Sequence, residues 1–369
     1  MRADPNGRAP RAPVPVAVLG ATGAVGQTFI RLLAHHPWFR IAELAASERS
    51  AGKAYGDAAR WLEGGLPHEI AAMTVLPCDP SVVRAPLVFS ALDAGVAGDV
   101  EAAFARAGRF VLSNARNFRM DADVPLLIPE VNPEHLALLD VQRARRGWDG
   151  AIITNANCAT MVIAMALAPL HAAFGIETLF AMTMQAVSGA GYPGVPSLDI
   201  LGNVIPFIKN EEEKIESETL KILGRMERDA VVPAPIRVSA QANRVPVENG
   251  HTACMVVGFS RRVAPDEATH ALTSFRSAVA DVELPSAPAR PLIVVDAPDR
   301  PQPKRDAGAG NGMSIVIGRV RRDPILDVRL VASGHNTIRG AAGASILNAE
   351  LLVARGLLAS APSPARVAG

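Results

Sequence analysis

The feature that most constrains this chain is a glycine-rich turn near its start. Residues 14–19, VPVAVL, form a short apolar run that predicts a buried strand. The run leads into GATGAVG, and the next segment, QTFIRLLAHH, carries apolar residues at helical spacing. A strand, a glycine turn and a helix in this order predict a dinucleotide-binding unit, whose helix N-terminus offers free amides to a pyrophosphate. A tight turn without a ligand is the alternative. The residues predicted to hold the cofactor here are Gly20, Thr22, Gly23, Ala24, Val25 and Gly26.

The apolar runs predict two domains of different architecture. Runs at 41–47, 85–92 and 108–114 alternate with potential helices, which is typical of a doubly wound parallel sheet. After about residue 150, strand-like runs follow one another with few helices between them, which favours an antiparallel or mixed sheet with one face open to a partner subunit. The predicted class is therefore α/β, with a Rossmann-type dinucleotide-binding domain followed by an α+β domain built on a mixed sheet.

The changes in pattern also predict where the domains begin and end. We expect flexible tails at 1–13 and 358–369, a cofactor-binding domain at 14–156 and a second domain at 157–335. The last helical segment, 336–357, contains the small residues GAAG, which permit close approach to another backbone. We expect this helix to return to the first domain.

Charge and cysteine content exclude several classes of protein. The formal charge of +1 comes from 37 basic and 36 acidic residues spread along the chain, which leaves no basic stripe for nucleic acid. No apolar run reaches the roughly 18 residues that span a bilayer, and the first residues lack the apolar core of a signal peptide. Three cysteines without a CxxC pair indicate neither a zinc site nor a disulfide framework. We expect a cytoplasmic protein without a metal, acting on a small molecule and not on nucleic acid or a membrane.

The end of the second predicted strand bears on the choice of cofactor. NAD enzymes carry an acidic residue about 20 residues after the glycine turn, but here the strand ends in Ser47, Glu48, Arg49 and Ser50. Two hydroxyls and a guanidinium, from Ser47, Ser50 and Arg49, predict a pocket for the 2′-phosphate of NADP. Glu48 favours the opposite choice, because a carboxylate binds a free 2′-hydroxyl and repels a phosphate. NADP is the predicted cofactor and NAD is the alternative.

One of the three cysteines is a candidate nucleophile. Cys158 stands in TNANCATMVIAMALAPL, directly before a long apolar helix, where the helix N-terminus is expected to lower the pKa of the thiol. A buried structural cysteine is the alternative, and it describes Cys78 and Cys254 better. Asn157 precedes Cys158, and His251 follows a predicted turn in NRVPVENGH. These neighbours favour a catalytic thiol, although a histidine at a turn is more often simply exposed.

Six strings of the sequence, in order, resemble one enzyme family. They are SNARNFRMDADVPLLIPEVNPEH, TNANCATM, QAVSGAGYPGVPSLDILGNVIP, EEEKIESETLKILG, NRVPVENGHT and GHNTIRGAAGASILNAEL. Together they resemble aspartate-semialdehyde dehydrogenase of the archaeal and fungal type, over about residues 14–353. The resemblance implies an NADP-dependent enzyme of lysine, threonine and methionine biosynthesis that forms a homodimer or homotetramer. It also implies that the second domain is the catalytic and dimerisation domain.

The resemblance further implies a role for each site residue. Cys158 would form an acyl thioester, His251 would act as acid and base, and Gln185 would orient the acyl group. Arg244 would bind the substrate carboxylate and Glu211 the substrate amine, with the neighbouring Glu212 as a competitor. These residue types suit their ligands, because a guanidinium matches a carboxylate and a carboxylate matches an ammonium. The implied phosphate site consists of Lys214, Arg119 and Asn157, and the implied nicotinamide site consists of Ser188, Gly189 and Asn336.

The implied reaction is the reductive dephosphorylation of L-aspartyl-4-phosphate to L-aspartate 4-semialdehyde through a thioester on Cys158. Two alternatives stay open at this stage. A related acyl reductase, acting on malonyl-CoA or on an N-acylated glutamyl phosphate, would use the same thiol and histidine, and loss of the amine-binding carboxylate would favour it. A catalytically silent cofactor-binding regulator would be expected to lose Cys158 or His251, and this sequence keeps both.

Overall fold

The computed structural model describes residue 10 and residues 12–358. These residues form two main β-sheets with helices packed against them. The predicted tails at 1–13 and 358–369 lie almost entirely outside the described residues. No described helix combines the length and the apolar character that crossing a bilayer requires.

The first sheet contains seven parallel strands. They are β1 (Val14–Leu19), β2 (Phe39–Ala46), β3 (Val75–Pro77), β4 (Leu87–Ser90), β5 (Phe110–Ser113), β6 (Leu126–Leu127) and β7 (Ala151–Asn155). Their order across the sheet is β3-β2-β1-β4-β5-β7-β6, which is a doubly wound arrangement. The sequence predicted β1, β2, β4 and β5 but gave no strand for β3, β6 or β7.

Helices cover both faces of this sheet because alternate strand residues point to opposite sides. Val16 and Val18 of β1 belong to one apolar cluster, whereas Ala17 and Leu19 belong to another. The sheet is therefore buried on both faces, as apolar parallel strands require. The helices that precede the second sheet in the chain are α1 (Ala24–Leu33), α2 (Tyr55–Ala58), α3 (His68–Ala71), α4 (Ala94–Arg106), α5 (Leu138–Arg146) and α6 (Cys158–Phe174), with a 3-10 turn at Pro133–Ala137.

The second sheet is mixed, as the sequence predicted. Its strands are β8 (Ile176–Gln185), β11 (Arg237–Arg244), β12 (His251–Phe259), β13 (Leu292–Val295), β14 (Ile315–Arg322) and β15 (Val328–Gly334), in the order β11-β8-β12-β15-β14-β13. The pairs β11 with β8 and β13 with β14 are parallel, and the other pairs are antiparallel. A small hairpin of β9 (Arg225–Glu227) and β10 (Ala230–Val232) was not predicted.

One face of the second sheet is covered and the other is open. Helix α6 packs on the covered face together with α8 (Glu211–Ile222) and α9 (Pro265–Thr273). Helix α6 is apolar on nearly every side and is buried along most of its length. The open face carries Phe180, Met182, Cys254 and Val256, which remain partly exposed. The short elements here are α7 (Ser197–Ile200), α10 (Pro303–Asp306) and 3-10 turns at Val187–Ala190 and Ala309–Gly312.

The end of the described chain packs on the first sheet. A π-helical turn (Ile338–Ala342) leads into α11 (Gly343–Ala354), which contacts β4, β5 and β7. Ile346 and Leu347 share the apolar cluster of Phe89 and Leu112. The π-helical turn also contacts both α1 and α6, so it lies between the helix that follows the glycine turn and the helix that begins with Cys158. The exact residue boundaries of the two domains remain a prediction.

Candidate active site

Cys158 is the first residue of α6, and the residue before it caps the helix. The side-chain oxygen of Asn157 accepts hydrogen bonds from the amides of Ala159 and Thr160 at 2.9 and 3.0 Å. Asparagine is a favoured N-cap because it satisfies amides that have no partner within the helix. The thiol is thereby fixed at the helix N-terminus, where the sequence predicted it.

His251 is the immediate partner of the thiol. Its Nε2 lies 3.1 Å from Sγ of Cys158, and its Nδ1 accepts a hydrogen bond from the amide of Ala186 at 3.1 Å. A backbone amide can only donate, so the neutral imidazole carries its proton on Nε2. The ring therefore presents an N–H donor to the sulfur and to any oxygen that develops beside it.

Burial keeps both partners neutral in this structure. Burial, together with the charge of Glu211, raises the pKa of the Cys158 thiol to about 12 against the opposing effect of the cations Arg119, Arg244 and Lys214. Burial likewise lowers the pKa of His251 to about 3. The pKa of the thiol is thus shifted in the direction opposite to the one expected at a helix N-terminus, because burial disfavours the charged thiolate.

Two further predicted residues lie at adjacent strand ends. Arg244 ends β11 and is paired in register with Gln185, which ends β8. Both side chains are buried. Nη1 of Arg244 donates to the carbonyl oxygen of Ala186 at 2.7 Å, and Nε2 of Gln185 donates to the hydroxyl of Thr183 at 3.2 Å. The parallel pairing thus places a guanidinium and an amide together at one edge of the sheet, beside His251.

Helix α8 contributes an acidic and a basic group to the same place. One carboxylate oxygen of Glu211 accepts a hydrogen bond from the side-chain nitrogen Nδ2 of Asn157, and the other pairs with Nζ of Lys214, both at 2.8 Å. These bonds and the charge of Lys214 hold the pKa of Glu211 below its usual value although burial opposes them. Glu212 points elsewhere, because its carboxylate accepts from the backbone amide of Ala242 in β11 at 3.0 Å.

Arg119 reaches the site from the loop that follows β5. Its Nη1 donates to Glu218 at 2.9 Å, and its Nη2 donates to the carbonyl of Asn114 at 2.7 Å. Glu218 and Lys221 were missed at the sequence level. Both lie in α8 at the helical spacing that continues Glu211 and Lys214, and this spacing is the signal that could have found them.

The predicted nicotinamide-side residues cluster over His251. The amide nitrogen of Asn336 donates to the hydroxyl of Ser188, and its oxygen accepts from the amide of Gly250, both at 2.8 Å. A Cβ atom at Gly189 would lie 3.0 Å from both Nη1 of Arg244 and Cε1 of His251. Gly189 therefore lies directly against the side chains of Arg244 and His251, and Asn336 fixes the turn that precedes His251.

The glycine turn has the shape that a pyrophosphate requires. Gly20 adopts a φ of +70°, and a Cβ there would lie 2.6 Å from the carbonyl oxygen of Ala91, which follows β4. A Cβ at Gly26 would collide with the carbonyl of Gly20. Exposed Gly23 is the N-cap of α1, with no side-chain cap and no acidic residue in the first turn. The helix amides beside Thr22, Ala24 and Val25 are thus left for an anion.

The predicted 2′-phosphate residues follow β2 on the adjacent strand. Ser47 and Arg49 are exposed and Ser50 is partly buried, in a turn closed by a bond from the amide of Ser50 to the carbonyl of Ser47. Glu48 is exposed in the same turn. Across the part of the chain that the structure describes, no group of three or more His, Cys, Asp and Glu side chains could hold a metal ion.

Comparison with known proteins follows the same division of the chain. The family model described as semialdehyde dehydrogenase, NAD binding domain, matches residues 15–139, and the one described as semialdehyde dehydrogenase, dimerisation domain, matches residues 167–339. An aspartate-semialdehyde dehydrogenase of Archaeoglobus fulgidus is 52% identical over 92% of this chain and 97% of its own length. The chain belongs to the aspartate-semialdehyde dehydrogenase family. The relative of the same name from Saccharomyces cerevisiae is 45% identical over 92% of this chain and 98% of its own.

Solved structures of aspartate-semialdehyde dehydrogenases share the fold. The crystal structure of the Candida albicans enzyme with NADP has a TM-score of 0.86 and 44% identity, and it covers 93% of this chain and 99% of its own. Aspartate-semialdehyde dehydrogenase II of Vibrio cholerae, complexed with ASA, has a TM-score of 0.72 and 29% identity, with 93% and 98% covered. The family resemblance and the fold class predicted from the sequence are therefore confirmed.

Proposed function

We propose that this protein is an NADP-dependent aspartate-semialdehyde dehydrogenase that reductively dephosphorylates L-aspartyl-4-phosphate to L-aspartate 4-semialdehyde. The observation that carries the proposal is the pair of Cys158 and His251, with Arg244, Glu211 and Arg119 arranged around it. Membership of the family and the fold shared with an NADP-bound relative support the same activity.

The glycine turn fits the proposed cofactor. Its backbone leaves no room for side chains at Gly20 and Gly26, and its helix amides have no acidic neighbour. Arg49 would bind the 2′-phosphate between the hydroxyls of Ser47 and Ser50, and Ser188, Gly189 and Asn336 would line the nicotinamide. When bound, the nicotinamide supplies the hydride that reduces the acyl group.

The chain's own residues would carry the acyl chemistry. The thiol of Cys158 gives up its proton as the sulfur attacks the acyl carbon and the bond to the phosphate oxygen breaks. The departing phosphate carries this proton away and leaves a thioester on the sulfur. His251 presents its Nε2 proton to the oxygen of the thioester carbonyl and holds a proton there as negative charge develops. The amide of Ala186 fixes the ring for this role, because it holds Nδ1 as an acceptor.

The remaining charges match the substrate. Arg244 would bind the α-carboxylate, Glu211 the ammonium, and Arg119 with Lys214 and Asn157 the phosphate. Gln185, buried beside Arg244, would orient the acyl group. The bond from Glu212 to the backbone of β11 favours Glu211 over Glu212 as the ammonium ligand. The buried carboxylate of Glu211 also argues against a malonyl-CoA reductase, whose substrate has no ammonium.

Glu211→Gln and Glu212→Gln form a matched pair that tests the ammonium site. We expect Glu211→Gln to lower kcat/KM for aspartate semialdehyde by about tenfold or more while sparing succinate semialdehyde, which lacks the amine. Glu212→Gln should leave the ratio of kcat/KM for aspartate semialdehyde to kcat/KM for succinate semialdehyde unchanged. Equal use of both semialdehydes by the wild type would contradict the substrate assignment.

The reverse assay tests the activity itself. Purified protein is mixed with aspartate semialdehyde, phosphate and either NADP or NAD, and the absorbance of the reduced cofactor is followed. We expect turnover that requires phosphate and is faster with NADP. Cys158→Ala should bind NADP but show no turnover, and activity above a few per cent in that variant would exclude the thioester.

The oligomer and the location are also proposals. A homodimer or homotetramer is supported by the family's dimerisation domain and by the open sheet face, where Phe180 is 39% exposed among apolar neighbours. A cytoplasmic location is supported by the three cysteines, which are all free thiols.

A further inference from the structure

Helix α8 carries four charged side chains on one face. Glu211, Lys214, Glu218 and Lys221 are spaced three, four and three residues apart, so they share a single stripe. The first two belong to the proposed substrate site. The last two bind no part of the substrate in the proposed function, yet both are buried. Buried charges require partners, and those of Glu218 are informative.

Both oxygens of Glu218 are engaged by other parts of the active site. Oε1 accepts from Nη1 of Arg119 at 2.9 Å, and Oε2 accepts from the backbone amide of Asn157 at 2.7 Å. Only 1% of Glu218 is exposed. Asn157 is the N-cap of the helix that begins with Cys158. One carboxylate thus connects the arginine of the proposed phosphate site to the residue before the nucleophile.

The backbone around Arg119 is held by the same helix. Nζ of Lys221 donates to the carbonyl oxygens of Arg119, Asp121 and Val124 at 2.7, 2.7 and 2.8 Å. Nε of Arg119 is buried and has no hydrogen-bond partner among the described residues. The guanidinium therefore retains an unused donor while α8 fixes its direction.

We propose that Glu218 is a positioning residue for phosphate transfer, which fixes the guanidinium of Arg119 and the backbone of Asn157 relative to the sulfur of Cys158. The inference rests on the proposed function, because it takes Arg119 as a phosphate ligand. A carboxylate is required at this position, since both partners are donors. Glutamine has one oxygen and one NH₂ group, so it would satisfy one partner and oppose the other.

Glu218→Gln is the direct test, in the assay with aspartate semialdehyde, phosphate and NADP. We expect the KM for phosphate to rise by about tenfold or more, because a charge-assisted contact that orients its ligand is lost. The KM for aspartate semialdehyde should change by less than about threefold, because Arg244 and Glu211 remain in place. A phosphate KM that is unchanged or lower would overturn the proposal.

Glu216→Gln is the matched control. Glu216 lies in the same helix, and its carboxylate also accepts a backbone amide, that of Ala240, at 3.1 Å. Among the described residues, its carboxylate makes no hydrogen bond or ion pair with a residue of the proposed site. We expect this variant to lose some thermal stability through that bond and to keep the Michaelis constants for phosphate and for aspartate semialdehyde. An equal rise in the phosphate KM in both variants would mean that Glu218 acts only through the stability of α8.

A double variant shows whether Glu218 acts through Arg119. Arg119→Lys alone should raise the phosphate KM, and adding Glu218→Gln should raise it little further, because the guanidinium to be positioned is already gone. Fully multiplicative effects would refute this coupling. If Glu218→Gln does not fold, Glu218→Asp serves in its place, because the shorter carboxylate keeps its charge but cannot reach both donors.

The wild-type protein separates the two hypotheses. Absence of phosphate-dependent turnover in the wild type would overturn the proposed function and this inference together. Phosphate-dependent turnover in the wild type, with the phosphate KM unaltered in Glu218→Gln, would leave the proposed function standing and remove the role of Glu218.

Discussion

The contact between Gly340 and Cys158 gives a sharp test of how the thiol is placed. Gly340 lies in the π-helical turn, and a Cβ there would lie 2.6 Å from Cβ of Cys158 and 2.9 Å from its Cα. Ordinary contacts of this kind begin at 3.4 Å. Both atoms of Cys158 are close to the backbone, so no rotation of a flexible side chain can relieve the clash in Gly340→Ala.

The start of α6 or the π-helical turn must therefore move in Gly340→Ala. Separating the two Cβ atoms from 2.6 Å to at least 3.4 Å would also disturb the 3.1 Å contact between Cys158 and His251. A misplacement on the order of 1 Å at a reacting atom costs about 100-fold in rate. Overpacking of this size destabilises a folded core by about 1 to 3 kcal/mol. We expect kcat to fall by about two orders of magnitude and the melting temperature to drop by a few degrees.

The assay is the phosphate-dependent reduction of NADP, with binding of NADP measured separately by fluorescence. Cofactor binding should be retained, because the glycine turn and Arg49 are untouched. Gly95→Ala in α4 is the control, since a Cβ there meets nothing within 4 Å, and it should keep full activity. A folded Gly340→Ala variant with kcat within about threefold of the wild type would refute the reasoning.

Three further predictions concern the cofactor, the thiol and a buried carboxyl group. Arg49→Ala should raise the Michaelis constant for NADPH by about tenfold or more relative to that for NADH. An equal rise for both cofactors would mean that Arg49 has a structural role. Because burial raises the pKa of Cys158, its alkylation by iodoacetamide, followed by peptide mass spectrometry, should keep accelerating from pH 7 to 9.5, and a plateau below pH 8 would contradict this. Burial raises the pKa of Glu101 to about 7, so the folded state binds a proton that the unfolded state loses above pH 4.5. The free energy of unfolding should therefore fall as the pH rises through this range. Relative to the wild type, Glu101→Gln should gain about 3 kcal/mol of this free energy between pH 4.5 and 8, as measured by denaturant titration. Absence of this gain would show that the pKa of Glu101 is not raised.

Much of the fold could be predicted because its signals are local. The strand β1, the glycine turn and α1 follow from a few adjacent residues, and so do the alternating runs of the second sheet. β3 and β6 were missed because they contain only three and two residues. β3 is extended because it pairs with β2, and β6 because it pairs with β7. No local sequence pattern predicts these pairings.

The candidate active-site residues were predicted from family resemblance, whereas their mutual contacts required the fold. Arg119 and Glu218 are 99 residues apart in the chain, yet they form a hydrogen bond. The sequence left Glu211 and Glu212 as competitors, because adjacent residues on an acidic helix look alike. The packing of α8 separates them, since Glu211 faces Asn157 and Glu212 faces the backbone of β11.

The state of the thiol shows why local reasoning was insufficient. The helix N-terminus acts on Cys158 through adjacent amides, and its effect falls off within one turn. Burial and the charge of Glu211 act in the opposite direction, and both arise from segments far away in sequence. The opposing cations Arg119, Lys214 and Arg244 likewise come from three different elements. All three belong to the proposed substrate site. The reactivity of Cys158 therefore depends on how α8, β11 and the loop after β5 are packed around it, and the residues adjacent to the cysteine do not determine it alone.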